Sequence, residues 1–121
     1  MKSIFLVDDS ATMLMSLKNT LEISGFQVEV AADGEAALQK VKAGLKPDLI
    51  ITDINMPKLD GIGLIREVRK LLRFTPILAL TTESQQAKRE EAKRIGATGW
   101  LVKPVGGADL LKVIKQVLPG V

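Results

Sequence analysis

Cysteine, histidine and tyrosine are all missing from the sequence, and each absence removes a class of chemistry. Without cysteine there is no disulfide framework, thiolate nucleophile or thiolate metal site. Without histidine the Ser-His-Asp arrangement, the usual zinc ligands and the commonest general base are gone. Carboxylates, hydroxyls and lysines are left as the reactive groups. Aromatic residues are also scarce, at 3%, and the basic residues are spread over several segments, so a net charge of +3 does not mark a nucleic-acid surface. Long hydrophobic runs are missing too. The opening MKSIFLVDDS has four consecutive apolar residues before two aspartates, too few for a secretory signal or a membrane span. A cytoplasmic protein with no membrane and no nucleic-acid contact is the expectation.

What is present is an ordinary globular balance, with 46% apolar and 26% charged residues over 121 positions. That length suits one domain covering residues 1–121. Five short apolar runs have strand length: Ser3 to Val7, Gln27 to Ala31, Asp48 to Thr52, Pro76 to Leu80 and Gly99 to Val102. Segments of helical period separate them, carried by Leu14, Leu17 and Leu21, by Ala37, Leu38 and Val41, by Ile65, Val68 and Leu72, and by Leu110, Ile114 and Val117. The stretch from Ser84 to Ile95 is more polar, but its alanines and lysines favour helix. Gly25, Gly44 and Gly96 stand where helices should end, and Asp33 and Asp60 where they should begin.

A strict β-α alternation predicts an α/β fold with one five-stranded parallel sheet and helices on both faces. The first, third and fourth runs are apolar nearly throughout, as strands covered on both sides should be, whereas QVEVA alternates like an edge strand. With right-handed crossovers this favours the flavodoxin-like order 2-1-3-4-5 and places a ligand crevice between strands 1 and 3.

The polar residues that end the strands meet at that crevice. Strand 1 runs into Asp8 and Asp9, strand 3 into Asp53, strand 4 into Thr81 and strand 5 into Lys103 and Pro104. Taken singly, each has a structural reading. Asp8 and Asp9 would cap the helix starting near Ser10, Asp53 would form a turn, Thr81 would cap a helix, and Lys103 would be solvated. Capping duties do not call for three acids, a hydroxyl and a lysine at one edge. Crowded carboxylates raise one another's pKa and demand a cation, and oxygen-only ligands select a hard one: Mg²⁺, with Mn²⁺ as the second candidate. A carboxylate is then the natural nucleophile toward a phosphoryl donor, giving an acyl phosphate at Asp53. Thr81 would donate to one phosphoryl oxygen and Lys103 would neutralise another, since phosphoryl transfer needs positioning and charge neutralisation above all.

The segments LVDDS, LIITDINMPKLDGIGLI, LALTTE and GATGWLVKPV, in this order and spacing, resemble the receiver domains of two-component response regulators, in particular the stand-alone chemotaxis (CheY-like) type. That family has the 2-1-3-4-5 order, so resemblance and periodicity are not independent on this point. The resemblance implies that Asp53 is the phosphoacceptor, Asp9 a direct Mg²⁺ ligand, Asp8 a ligand through water and Asn55 a ligand through its backbone carbonyl. It implies a cis peptide before Pro104, a switch formed by Thr81 and Trp100, and modulation by Thr82 and Glu83, the two residues after Thr81. Trp100 is bulkier than the usual Tyr or Phe, Thr82 is larger than the small residue typical there, and Val105 replaces a common Phe.

The implied phosphodonor is a histidine kinase, and the implied activity is signalling rather than enzymatic turnover beyond self-catalysed phosphoryl transfer and dephosphorylation. Output would pass to a protein target through the last strand and its flanking helices, where Lys88, Arg89, Lys93, Arg94, Lys112 and Lys115 lie; a monomer controlling chemotaxis or another process is expected. A haloacid-dehalogenase-type phosphohydrolase would want an acid where Asn55 stands. An FMN-binding flavodoxin would want a glycine-rich phosphate loop in place of Asp8 and Asp9. A docking pseudo-receiver would not need the full set of acids, Thr81 and Lys103.

Overall fold

Side chains alternate across an extended strand, so a strand buried on both faces feeds two separate cores. In the computed structural model, which describes residues 2–82, 86–118 and 120, ten elements carry this division. They are β1 (Ser3–Val7), α1 (Ala11–Ile23), β2 (Gln27–Ala31), α2 (Gly34–Lys42), β3 (Leu49–Thr52), α3 (Gly61–Leu71), β4 (Ile77–Thr81), α4 (Gln86–Arg94), β5 (Gly99–Val102) and α5 (Gly107–Val117). The strands form one parallel sheet in the order β2-β1-β3-β4-β5.

Ile4, Leu6, Leu49, Ile51, Leu78 and Leu80 face the core built by Leu14, Leu17 and Leu21 of α1 and Leu110 and Ile114 of α5. Phe5, Val7, Ile50, Ile77 and Ala79 face the opposite core, closed by residues of α2 and α3 and by Ala92 of α4. Full burial of a Leu or Ile side chain is worth roughly 2 kcal/mol, and β1, β3 and β4 contribute many of them. The edge strand β2 instead alternates between exposed and half-buried positions, as its sequence alternation predicts. No helix among the described residues is long and apolar enough to cross a membrane.

The helix starts follow their caps. Ser10 Oγ accepts from the Met13 N–H, Asp33 from that of Ala36 and Asp60 from that of Gly63, each cap contributing about 1 kcal/mol. Gly25, Gly44 and Gly96 take positive φ just past α1, α2 and α4. Two strand boundaries differ from the sequence reading. β3 begins at Leu49 because the Asp48 carboxylate turns aside to accept from Ser3 N and Oγ. β4 begins at Ile77, since Pro76 has no N–H to give the ladder, and it runs one residue further to include Thr81.

Gly61, the first residue of α3, is required for space rather than for φ. A Cβ there would sit 2.2 Å from the Asp53 carbonyl oxygen and 2.7 Å from Ile54 Cα, while its own N–H donates to Ile54 O at 2.8 Å. The helix can therefore begin directly beneath the end of β3. Gly61→Ala must push backbone away from backbone, and a loss of about 2 kcal/mol or more is expected. Urea denaturation with an unchanged m-value would measure it; a loss below about 0.5 kcal/mol would show that the contact relaxes.

Candidate functional site

Strand register brings the polar residues together. Val7 pairs with Thr52 across β1 and β3, so Asp8 and Asp53 emerge side by side, and the Asp53 N–H donates to Val7 O at 2.8 Å. Thr81 ends β4 opposite Val102 of β5, and the next residue, Lys103, donates its N–H to Thr81 O at 2.7 Å. All five residues singled out at the strand ends thus lie at one edge of the sheet. Oxygens of Asp8, Asp9 and Asp53 lie within 4.8 Å of one another. Asp8 and Asp53 are buried while Asp9 is exposed, so the cluster opens to solvent on one side only.

Two buried carboxylates cannot stand together uncompensated. Here the Lys103 Nζ lies 2.6 Å from Asp8 Oδ2 and 3.4 Å from Asp53 Oδ2. Asp8 Oδ1 accepts from the Ser10 N–H at 2.9 Å, and Asp53 Oδ1 from the Ile54 N–H at 2.7 Å. Burial alone would lower the Lys103 pKa, but the hydrogen bond and charge of Asp8, joined by Asp53, outweigh it and hold the ammonium above its ordinary 10.5. The sequence reading gave Lys103 a phosphoryl oxygen as partner; without one, the side chain rests mainly on Asp8.

The remaining site residues are placed as follows. Thr81 is fully buried at the end of β4. Thr82 is exposed beside it, and Glu83 lies outside the described residues. Asn55 is exposed, two residues past Asp53, and its Oδ1 lies 3.3 Å from the Lys88 ammonium of α4. The Lys103–Pro104 peptide is cis. Trp100 is half-buried against the core of α2, α3 and α4, and its indole N–H has no acceptor among the described residues. Val105 packs against the opposite core.

The sequence reading missed two contributors. Lys88 was grouped with surface charge, and only its reach across to Asn55 distinguishes it. Arg69 was not noticed, although it falls one helical turn after Ile65 on an apolar face, a position where a charge needs partners. Its guanidinium donates to Leu72 O at 2.9 Å, Thr75 O at 2.7 Å and Gly96 O at 2.6 Å.

An all-oxygen cluster of carboxylates with one solvent-facing member is the donor set a hard dication prefers, and these residues fit Mg²⁺. The sequence matches the response regulator receiver domain over residues 4–115. The chain belongs to that family. The receiver is 35% identical to the chemotaxis protein CheY of Thermotoga maritima, over 96% of this chain and 97% of that protein. It is 36% identical to the alkaline phosphatase synthesis transcriptional regulatory protein PhoP of Bacillus subtilis, over 97% of this chain but 48% of that protein. The chain spans about half the length of the first curated relatives it matches.

Among solved structures, the receiver superposes on the Vibrio cholerae chemotaxis protein CheY4 with a TM-score of 0.91 at 44% identity, covering 98% of this chain and 99% of that one. For a CheY-like receiver domain from Methanospirillum hungatei the TM-score is 0.94 at 31% identity, covering 98% and 94%. The chain is thus a CheY-like receiver, a signalling module of two-component systems.

Lys103→Gln would leave Asp8 and Asp53 facing each other without a cation. A loss of about 2 kcal/mol is expected in chelator, shrinking when MgCl₂ supplies the missing charge. Because the folded Lys103 pKa is raised, its stabilisation is complete below the unfolded value near 10.5 and disappears as pH rises through the folded one. The gap between the two proteins in urea melts should therefore narrow progressively as the pH is raised above 10.5; a widening gap would show that the lysine charge does not stabilise the fold.

Proposed function

We propose that this receiver accepts a phosphoryl group on Asp53 from a histidine kinase, in a Mg²⁺-dependent step, and passes the signal to a protein target. What supports the reading is the convergence of three carboxylates with one lysine at 2.6 Å from Asp8, all at the same edge of the sheet. Asp9 and Asp53 would hold the metal directly, Asp8 through water and Asn55 through its carbonyl. When bound, Mg²⁺ supplies charge neutralisation for the transferring phosphoryl oxygens.

The chain's own residues do the rest. Asp53 Oδ attacks phosphorus, the O–P bond forms as the P–N bond of the donor phosphohistidine breaks, and the imidazole leaves with the bonding pair. Lys103 moves from Asp8 toward the new phosphoryl oxygens, and the buried Thr81 hydroxyl donates to another. The Gly61 contact keeps the end of β3 and the start of α3 fixed while this happens. Thr82 and Glu83 would modulate the lifetime of the acyl phosphate.

The signal then passes to the face formed by α4, β5 and α5. A groove of about 250 Å³ lined by Arg89, Ala92, Lys93 and Trp100 lies there, and the exposed basic residues Arg94, Lys112 and Lys115 flank it. An acidic target surface suits this charge. Movement of Thr81 toward the phosphoryl group would free space for the Trp100 ring and reshape the groove. Control of motility is one output consistent with the likeness to chemotaxis proteins. The receiver would act as a cytoplasmic monomer with no call on nucleic acid or membrane.

Intact-mass measurement after incubation with acetyl phosphate and Mg²⁺ tests the acceptor. The wild-type chain should gain one phosphoryl mass, and Asp53→Ala should not; a gain in the variant would relocate the acceptor. The emission of Trp100, the single tryptophan, should shift when beryllofluoride and Mg²⁺ are added together. Unchanged emission with the fluoride demonstrably bound would mean that Trp100 is a fixed packing residue.

A further inference from the structure

At the end of the sheet opposite the carboxylates, Phe74 is 93% exposed and Leu71 is 50% exposed. A single exposed apolar residue is unremarkable, but here an aromatic and a leucine border an open groove of about 450 Å³ that also runs past Lys46, Arg73 and Pro76. We infer that this groove is a docking face for an acidic segment of a partner protein, engaged whether or not Asp53 carries a phosphoryl group.

Three observations support the inference. The first is that Phe74 is presented rather than loose. The loop from Leu72 to Thr75 is fastened by the Arg69 guanidinium, which donates to Leu72 O and Thr75 O on either side of Phe74 and to Gly96 O across the way. A ring held outward by its own backbone loses little freedom on binding, which is what makes an anchor effective.

The second observation is charge. Lys46 and Arg73 are exposed along the groove. The acid that lines it with them, Asp48, turns its carboxylate to Ser3 N at 2.8 Å, and Glu67 and Lys70 nearby pair with each other at 3.1 Å, which leaves two cations against one acid along the groove. Lys46 and Arg73 make no ion pair among the described residues. An apolar residue flanked by carboxylates complements this face. A second copy of the chain would bring the same cations against themselves across a two-fold axis and be repelled. A bilayer presents nothing shaped to enter a groove.

The third observation is location. Phe74 lies three residues before β4, whose last residue is Thr81; the strand alone puts Ile77 roughly 13 Å from Thr81 at about 3.3 Å per residue. The loop is fastened at this far end of the sheet by Arg69, not by any group of the acid site.

The full chain, immobilised, would be panned against a random dodecapeptide library. Enriched peptides should carry Asp or Glu around at least one apolar residue. Their affinity by fluorescence anisotropy should fall at least about tenfold for Phe74→Ser and for Arg73→Glu, with melting temperatures of both variants unchanged. Affinity should be the same within about twofold with or without beryllofluoride and Mg²⁺, and in Asp53→Ala. Peptides insensitive to both substitutions, or basic or uncharged in composition, would overturn the proposal. So would Phe74-dependent binding to phosphatidylserine vesicles in place of peptides, a Phe74-dependent dimer in sedimentation, or an affinity that changes with beryllofluoride. Failure of Asp53 to accept a phosphoryl group would leave this result untouched, so the two readings fail separately.

Discussion

Mutual repulsion among Asp8, Asp9 and Asp53 is the constraint around which this receiver is arranged. Their oxygens lie within 4.8 Å of one another, two of the three side chains are buried, and the cation set against them is Lys103, whose own burial opposes its charge. The sheet tolerates this because its two cores are large and both faces of β1, β3 and β4 are covered. The backbone N–H groups of Ser10 and Ile54 each take one carboxylate oxygen, which lessens the demand on Lys103. Stability is thus spent at the strand ends and supplied in the layers beneath, the usual relation between a charged site and its scaffold.

Lys103 has two roles in this arrangement. Its ammonium rests on Asp8 and offsets part of the acids' charge. Under the proposed chemistry it would be released by the metal and drawn to the phosphoryl group, so one side chain would register both events. Thr81 lies one residue below on the neighbouring strand, connected through the Lys103 N–H, and Trp100 lies three residues before Lys103 along β5. The ion pair from the acids to Lys103 and the three residues from Lys103 back to Trp100 would thus join the proposed chemistry to the α4–β5 groove.

Much of this was legible in the sequence, for identifiable reasons. Apolar runs with β-branched residues marked the strands, the alternation in QVEVA marked the edge, and Asp33 and Asp60 marked helix starts because a short acceptor side chain is nearly obligatory there. Strand ends could be read as a site because parallel order puts every C-terminus at the same edge. What the sequence hid depends on distance. Nothing in the order of letters says that Lys103 rests closer to Asp8 than to Asp53, that Lys88 reaches Asn55, or that Arg69 fastens two loops. Nor does it say that the missing Cβ of Gly61 is what lets α3 start against the backbone of Asp53.

The Trp100 indole carries a consequence of its own. Its N–H has no acceptor among the described residues, so the ring is held on the wall of the α4–β5 groove by shape and apolar contact. If the proposed switch turned the ring, a carboxylate or carbonyl offered by a bound protein would take up the N–H and hold the new orientation, so that this residue would sense what docks on the groove as well as report what happens at the acids.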